Sequence, residues 1–253
     1  MCTMKERLKP LTNFLFMRTR RTRIANYLIL GLLAIYLSFI VYPNVLFGHT
    51  LKYGHFNVHS TTAFGNNIQT ILDDAEKRLS ASEIYNQNFT QDIYLCNGYT
   101  LYSFLAPMSR KAFACNYPFI NTIFIAHSDI EKNEAYKYDE QDNYVRQLSQ
   151  LIAHETTHTL IEKRLGFWKY RVLTTWKNEG YCEYIGYNSV DALKDARQFL
   201  ATHKEDNSGR AVYHKYYYAV TFLKEAEKMT FDDIIKTDVT FDQVLNQIEQ
   251  TVK

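Results

Sequence analysis

The sequence lacks internal repeats and low-complexity linkers over its 253 residues. Their absence excludes a repeat array or a string of modules joined by flexible segments. A chain of this length without such divisions is typical of one sizeable domain or two small ones.

A strong net charge is also missing from most of the chain. The protein has 29 basic and 27 acidic side chains, and the segment 1–23 holds seven of the basic residues and one acidic residue. The remainder therefore carries 29 − 7 = 22 basic and 27 − 1 = 26 acidic residues. Because proteins that bind nucleic acid usually present a basic surface, this acidic balance predicts no nucleic-acid partner.

Charged residues are absent from the segment Ile24–Tyr42, which ends at Pro43. A helix of this length spans about 28 Å, close to the hydrocarbon thickness of a bilayer. We therefore predict a transmembrane signal-anchor helix within residues 24–46. A cleaved signal peptide and a buried core helix are the alternatives, although no small-x-small cleavage site follows the apolar run.

The basic residues at the N-terminus predict how this helix is oriented. Cytoplasmic flanks of membrane helices carry an excess of lysine and arginine, so we expect residues 1–23 in the cytoplasm. The expected organisation is a basic cytoplasmic segment, an anchor at 24–46 and an extracytoplasmic domain at 51–253. The expected location is the cell membrane, crossed once.

Two cysteines of the expected extracytoplasmic domain, Cys96 and Cys115, are nineteen positions apart. An oxidising compartment allows a disulfide between them but does not require one. A third, Cys182, is expected to be a small buried apolar side chain.

Hydrophobic patterning predicts an α+β fold for the domain. Apolar residues recur with helical spacing over 66–82, and short β-type runs follow. The predicted strands are 92–96, 112–115 and 121–126, and the predicted C-terminal helices are 190–203, 211–229 and 241–252. The polar segment between His127 and Tyr144 shows no clear periodicity and is expected to be a connector or a lid over a site.

The most informative stretch is His154-Glu155-Thr156-Thr157-His158, within a helix predicted to begin near Asp142. In a helix the two histidines lie one turn apart on one face, so both can bind a single metal ion with Glu155 beside them. A catalytic zinc site needs a third protein ligand and an open position. Glu179, on a second predicted helix, is the candidate ligand. Glu183 lies one turn later and can accept the free ring N–H of a ligating histidine.

This pattern resembles the gluzincin metallopeptidases. The resemblance covers roughly Gln147–Tyr187, and its motifs are H-E-x-x-H followed by Asn178-Glu179-Gly180 and an acidic residue four positions after Glu179. It extends to thermolysin-like enzymes, to zinc aminopeptidases and to the peptidase MA-like domains of bacterial envelope proteins. The chain lacks a G-A-M-E-N-type motif, which would bind the free amine of an aminopeptidase substrate.

The resemblance implies a zincin-like domain with a small mixed sheet, metal-site helices and C-terminal helices. It implies one Zn²⁺ held by His154, His158 and Glu179, with Glu155 as the general base in peptide hydrolysis. We call the helix that carries His154 and His158 the metal helix. The resemblance also implies that the last strand before it, Thr122–Ala126, forms the sheet edge above the cleft. An extended peptide could add to that edge.

Gluzincins commonly direct a tyrosine or histidine from the C-terminal part toward the developing oxyanion. In this chain the run Tyr213-His214-Lys215-Tyr216-Tyr217-Tyr218 holds the candidates, among which we single out four. These are His214, Tyr216, Tyr217 and Tyr218. Their alternative role is packing, since the protein is rich in tyrosine.

The function predicted from these residues is that of a membrane-anchored zinc-dependent peptidase. Its expected partners are a peptide or protein substrate and the membrane, whereas the sequence indicates no oligomeric state. Two alternatives stay open at this point. One is a non-catalytic, zinc-bearing ectodomain that binds peptides, and the other is an amidase acting on cell-wall or lipid amides.

Overall fold

The structure is a computed structural model that describes residues 20–138, 144–189, 192–203 and 205–251. Helices and strands are mixed along these ranges, which confirms the α+β class. The chain divides into two compact units, one ending at Leu46 and one beginning at Phe47.

The first unit contains helix α1 (Arg20–Val41) and a short 3-10 turn at Pro43–Leu46. Within α1 the segment Ile24–Val41 is long and apolar enough to cross a membrane. The predicted apolar helix is therefore present. Its orientation stays a prediction, because length and composition do not distinguish the two directions of insertion.

The second unit begins with a five-stranded mixed sheet. In the order in which the strands lie side by side, they are β1 (His49–Tyr53), β2 (Phe56–Ser60), β3 (Gln91–Leu95), β5 (Thr122–Ile125) and β4 (Ala114–Tyr117). The strands β2, β3 and β5 are parallel, whereas β1 and β4 pair antiparallel to their neighbours. The parallel strands are joined through helices, as parallel connections require.

The prediction that Thr122–Ala126 forms the sheet edge is wrong. Strand β4 pairs along the outer side of β5, with Cys115 opposite Phe124, so β4 is the edge strand. The physical reason is visible in the two sequences. Strand β5 reads Thr-Ile-Phe-Ile and is buried throughout, as expected for a central strand covered on both faces. Strand β4 reads Ala-Cys-Asn-Tyr and is mostly half-buried.

A second, antiparallel sheet follows, with strands β6 (His127–Asp129), β7 (Glu134–Tyr136) and β8 (Arg146–Gln147). The expectation of an irregular connector over this segment is therefore wrong for the strand residues. Residues 139–143 lie outside the described ranges, so the lid hypothesis is not addressed there. Because Arg146 and Gln147 pair with β7, the metal helix begins at Leu148 rather than near residue 142.

The remaining elements are helices, which cover the sheet and form the C-terminal half. They are α2 (Ile68–Ser80), α3 (Tyr99–Leu105), α4 (Leu148–Leu165), α5 (Phe167–Arg171), α6 (Thr175–Tyr187), α7 (Ala192–His203), α8 (Gly209–Glu225), α9 (Phe231–Lys236) and α10 (Phe241–Gln250). The apolar residues that predicted α2 are all buried in the core. Helix α6 packs between α4 and α8 and is therefore central to the domain.

Glycine is required where α6 crosses α8. A Cβ atom at Gly180 would lie 2.5 Å from the backbone oxygen of Tyr216 and 2.6 Å from Cγ2 of Val220. Real Cβ atoms do not approach this closely, so a larger residue would force the two helices apart. Gly180 follows Glu179 directly, and the close crossing therefore helps to fix the position of that carboxylate.

The cysteines of the domain are free thiols in this structure. Cys96 follows β3 and Cys115 lies on β4, so that β5 separates the two strands. The disulfide that the sequence allowed is therefore not formed. Cys182 is buried on α6, as expected for a small apolar side chain.

Candidate metal centre

Helix α4 directs both histidines of the H-E-x-x-H motif toward Glu179. The rings of His154 and His158 lie with centroids 5.0 Å apart and nearly perpendicular planes. Both side chains are buried, and each presents its Nε2 atom to the same carboxylate on α6. The local period of the helix alone accounts for this pairing.

Glu179 completes the cluster from α6. Its Oε2 atom lies 3.5 Å from Nε2 of His154 and 3.6 Å from Nε2 of His158. Zinc bonds of about 2.0–2.1 Å in a tetrahedral arrangement separate the ligand atoms by about 3.3 Å. The three side chains therefore lie within metal-binding distance of one another, and two imidazoles with one carboxylate match the ligand types that zinc accepts.

Glu183 supports the cluster from the following turn of α6. Its Oε1 atom lies 3.4 Å from Nδ1 of His154, and its Oε2 atom accepts a hydrogen bond of 2.8 Å from Arg146. The contact with His154 is longer than an ordinary hydrogen bond, so it acts mainly as an electrostatic attraction. Arg146 is half-buried beside Glu183 and neutralises a carboxylate that burial would otherwise destabilise.

His158 has its own supporting residues. Its Nδ1 atom lies 3.1 Å from Oδ1 of Asn178 and 3.2 Å from Sγ of Cys182. The amide oxygen of Asn178 can only accept a hydrogen bond, so the proton of the neutral imidazole belongs on Nδ1. This tautomer leaves the lone pair of Nε2 directed toward Glu179.

The electrostatics of the cluster favour charge on all its members. Burial disfavours a charged imidazole, yet Glu183 and Glu179 outweigh that cost and raise the pKa of His154 to about 10. The pKa of His158 is also raised against burial, mainly by Glu179. Burial would raise the pKa values of Glu179 and Glu183, but the neighbouring cations lower both. A divalent cation would take the place of the imidazole protons that now balance these carboxylates.

Glu155 lies beside the cluster and lines an adjoining cavity. The backbone oxygen of Glu155 accepts a hydrogen bond from the side-chain amide of Asn116 on β4, and the same amide lies 3.2 Å from Oγ1 of Thr159. These contacts attach the edge strand to the metal helix. The distance between the sheet edge and Glu155 is thus fixed by side chains rather than by the sheet itself.

The cavity has a volume of about 740 Å³, and residues of the edge strand and of the start of α8 line it. The metal-site residues and Glu155 form its base. Four basic side chains also line it, namely Lys111, Lys137, Arg146 and Arg210. A cavity of this size accommodates several residues of an extended peptide.

The predicted oxyanion donors separate into two groups. His214 lines the cavity, as does Tyr213 at the start of the same run. Tyr216, Tyr217 and Tyr218 are not among the lining residues. Their rings pack instead against Phe241, Tyr187 and Phe199, respectively, at centroid distances of 5.1, 4.8 and 5.3 Å.

The division follows the axis of α8: the cavity-lining Tyr213 and His214 lie near its start with Gly209 and Arg210, whereas Tyr216, Tyr217 and Tyr218 lie further along the helix. Tyr213 lies near the metal-site carboxylates. Burial raises the pKa of its phenol, and so do Glu179, Glu155 and Glu183. Sequence reasoning singled out four members of the run and missed Tyr213, because no local signal states which part of α8 borders the cavity.

Arg146 was also missed by sequence reasoning. It precedes the metal helix by two positions, and its partner Glu183 is thirty-seven positions away, so no local pattern connects them. Only the pairing of β8 with β7 brings it to the cluster.

Comparison with known proteins assigns this chain to no group. No protein-family model matches the sequence, and no curated protein matches it. The chemistry of the site must therefore be argued from its residues. Two buried histidines, His154 and His158, and the half-buried Glu179 form a cluster within metal-binding distance, beside a cavity that Glu155 lines.

Proposed function

We propose that this protein is a membrane-anchored, zinc-dependent peptidase with a zincin-like domain of the gluzincin type. The observation that carries the proposal is the cluster of His154, His158 and Glu179 beside the cavity-lining Glu155. A purely structural zinc site is usually closed by four protein ligands. Three ligands, a neighbouring carboxylate and a large cavity are what a hydrolytic site requires.

In this proposal His154, His158 and Glu179 would hold the ion through the Nε2 atom of each histidine and a carboxylate oxygen. Zinc bound there would supply Lewis acidity, which lowers the pKa of a coordinated water and polarises a carbonyl group. Glu183, held by Arg146, keeps the His154 ring oriented. Asn178 does the same for His158.

Glu155 is assigned the proton transfers. It accepts a proton from the attacking water and later gives it to the leaving amine, as a general base and then a general acid. It is suited to this role because it lies next to His154 in sequence, lines the cavity and makes no ion pair within the described residues. Asn116 holds the backbone at this position.

The substrate is expected to bind as an extended peptide along β4. An edge strand offers unpaired backbone groups to an added strand, and β4 borders the cavity through Ala114, Cys115 and Asn116. We assign to Tyr213 and His214, which also line the cavity, a hydrogen bond donated to the oxygen on which negative charge develops. Tyr216, Tyr217 and Tyr218 are then packing residues.

The membrane part of the proposal rests on α1. Its apolar length suits a single crossing, and the basic residues before it favour a cytoplasmic N-terminus with the peptidase domain on the other side.

The test compares two conservative variants on the same helix. Glu155→Gln removes the proposed base, whereas Glu162→Gln changes a glutamate of α4 that does not line the cavity. The full-length protein in detergent micelles is assayed for zinc by elemental analysis and for cleavage of a diverse peptide library. We expect Glu155→Gln to keep its zinc and lose at least about 10²-fold in cleavage rate. Glu162→Gln should behave like the wild type.

Two results would contradict the proposal. Cleavage by Glu155→Gln at the wild-type rate would remove Glu155 from the mechanism. A wild type that binds zinc but hydrolyses none of the peptides would favour the non-catalytic or amidase alternatives.

A further inference from the structure

The short helix α5 presents apolar side chains to solvent directly after the metal helix. Phe167, Trp168 and Val172 are 43%, 81% and 80% exposed, and none of the residues of α5 is buried. We call these three residues the α5 patch. Large apolar side chains grouped on one exposed turn mark a surface that contacts another apolar phase.

Along the chain, the charges next to the α5 patch are of one sign, and one of them, Arg164, is paired with Asp232 of α9. Between Lys163 and Lys177 the sequence contains basic residues but no aspartate or glutamate. Lys169 and Arg171 alternate with the apolar side chains and are exposed. Segments that lie in the headgroup region of membranes typically combine tryptophan and phenylalanine with lysine and arginine. Their basic side chains contact anionic lipid there.

We infer that the α5 patch inserts into the headgroup region of the bilayer that holds α1. The inference rests on the membrane anchoring in the proposed function. The connection from the end of α1 to the start of β1 is the segment Tyr42–Gly48, which reaches at most about 25 Å when fully extended. A domain tethered so closely meets the bilayer surface continually, so even a weak interfacial attraction is enough to hold it there.

Docking through α5 would also determine where the cavity opens. Tyr170, which lies two residues after Trp168, lines the cavity together with the metal cluster. The turn that enters the lipid surface is thus the turn that borders the active site. The substrate class favoured by this arrangement is a peptide segment lying at the membrane surface, rather than a freely soluble peptide.

The two tryptophans of the chain make the docking directly measurable. Trp168 is exposed, Trp176 is only 9% exposed, and α1 contains none. The full-length protein is placed in nanodiscs of phosphatidylcholine and phosphatidylglycerol, with acyl chains either plain or brominated near the carbonyl end. Interfacial side chains lie about 5–10 Å into the headgroup boundary, so bromine there should quench Trp168. Aqueous iodide should quench it poorly.

Two variants serve as controls. In Trp168→Phe only the buried Trp176 emits, so bromine should have no effect. In Trp168→Phe/Thr70→Trp an exposed tryptophan stands on α2, where iodide but not bromine should quench it. Each variant should bind zinc as the wild type does, because neither position belongs to the metal cluster.

A third variant tests the charges. Lys169→Glu/Arg171→Glu should lower the bromine quenching of Trp168, and the loss should be largest in discs that contain phosphatidylglycerol. Equal bromine quenching of this variant and the wild type would show that the basic residues do not contribute to docking and would overturn the charge argument.

Three results would overturn the inference itself. Trp168 quenched by iodide and untouched by bromine would show that the patch stays in water and does not enter the lipid headgroups. If bromine quenched the tryptophan of the Thr70→Trp variant as much as Trp168, the tether alone would account for the closeness of both tryptophans to the lipid. Failure of the protein to remain in the nanodiscs would refute the anchor and the docking with it, whereas peptide cleavage would still test the proposed active site separately.

Discussion

A single methyl group added at Gly180 tests whether the tight crossing of α6 and α8 positions the Glu179 ligand. In Gly180→Ala the new Cβ would lie 2.5 Å from the backbone oxygen of Tyr216 and 2.6 Å from Cγ2 of Val220. Favourable contact between such atoms begins near about 3.5 Å, so the overlap is about 1 Å. The backbone oxygen cannot rotate away, and the overlap is relieved only if the helices separate.

The expected change in stability is a balance of two effects. Alanine in place of glycine inside a helix stabilises by about 1 kcal/mol. Overpacking of a well-packed contact destabilises by about 1–3 kcal/mol, and a clash with backbone belongs at the upper end. We therefore expect a net loss of about 2 kcal/mol, which lowers the Tm of a domain of this size by about 4–8 °C.

Gly186→Ala is the matched control on the same helix. Its Cβ would meet the backbone oxygen of Gln150 at 3.3 Å and Cβ of His154 at 3.4 Å, which neighbouring atoms can accommodate by small shifts. It gains the same helix propensity as Gly180→Ala, so we expect little net change in Tm. The difference between the two variants isolates the steric effect at the α6 and α8 crossing.

Thermal unfolding followed by circular dichroism gives the stabilities of the two variants in detergent micelles. Competition with a chelator gives their zinc affinities. Because Gly180 follows Glu179, we expect Gly180→Ala to weaken zinc binding by about 10-fold, the lower range for a disturbed metal environment. A Gly180→Ala protein as stable as Gly186→Ala, with unchanged zinc affinity, would refute this account of how Glu179 is positioned.

Three further predictions concern the cluster and the anchor. Glu179→Ala should remove most of the zinc measured by elemental analysis, since Oε2 of Glu179 is the atom shared by both histidines, and full occupancy would place the third ligand elsewhere. Glu183→Gln should lower zinc affinity or activity by roughly 10- to 100-fold, the usual cost of losing a partner of a ligating histidine. It should also leave the half-buried Arg146 without its counter-charge and so reduce stability. A variant unchanged in zinc affinity, activity and Tm would contradict both roles. A reporter fused at the C-terminus should be active only on the side of the membrane opposite to the N-terminus, and activity in the cytoplasm would contradict the proposed orientation.

Local features of the site were predictable because a helix fixes them by its own period. The spacing of His154 and His158 places their rings together wherever the helix lies, and the structure has them 5.0 Å apart. The same holds for the apolar face of α2 and for the apolar run of α1. Glu179 was predictable by its place in the Asn-Glu-Gly run, although its distance from the histidines depended on helix packing.

The failures of prediction share a different cause. The edge strand was wrongly placed at Thr122–Ala126, because the order of strands depends on which segments pair in the folded chain. The segment Ala114–Tyr117, which follows α3, pairs with the free side of β5 and becomes the edge strand. Choosing among the tyrosines of α8 required knowing that only the first turns of this helix border the cavity.

The sequence by itself thus determined which residues form one helical face, including the two histidines, and which segment is apolar enough to cross a membrane. Only the tertiary structure decided that Arg146 neutralises Glu183, that β4 borders the cavity and that Tyr213 and His214 line it as well. The physical reason is the range of the interactions. Helical periodicity and hydrophobic length act between near neighbours in the chain, whereas strand order, helix crossings and buried ion pairs join residues that are distant in sequence.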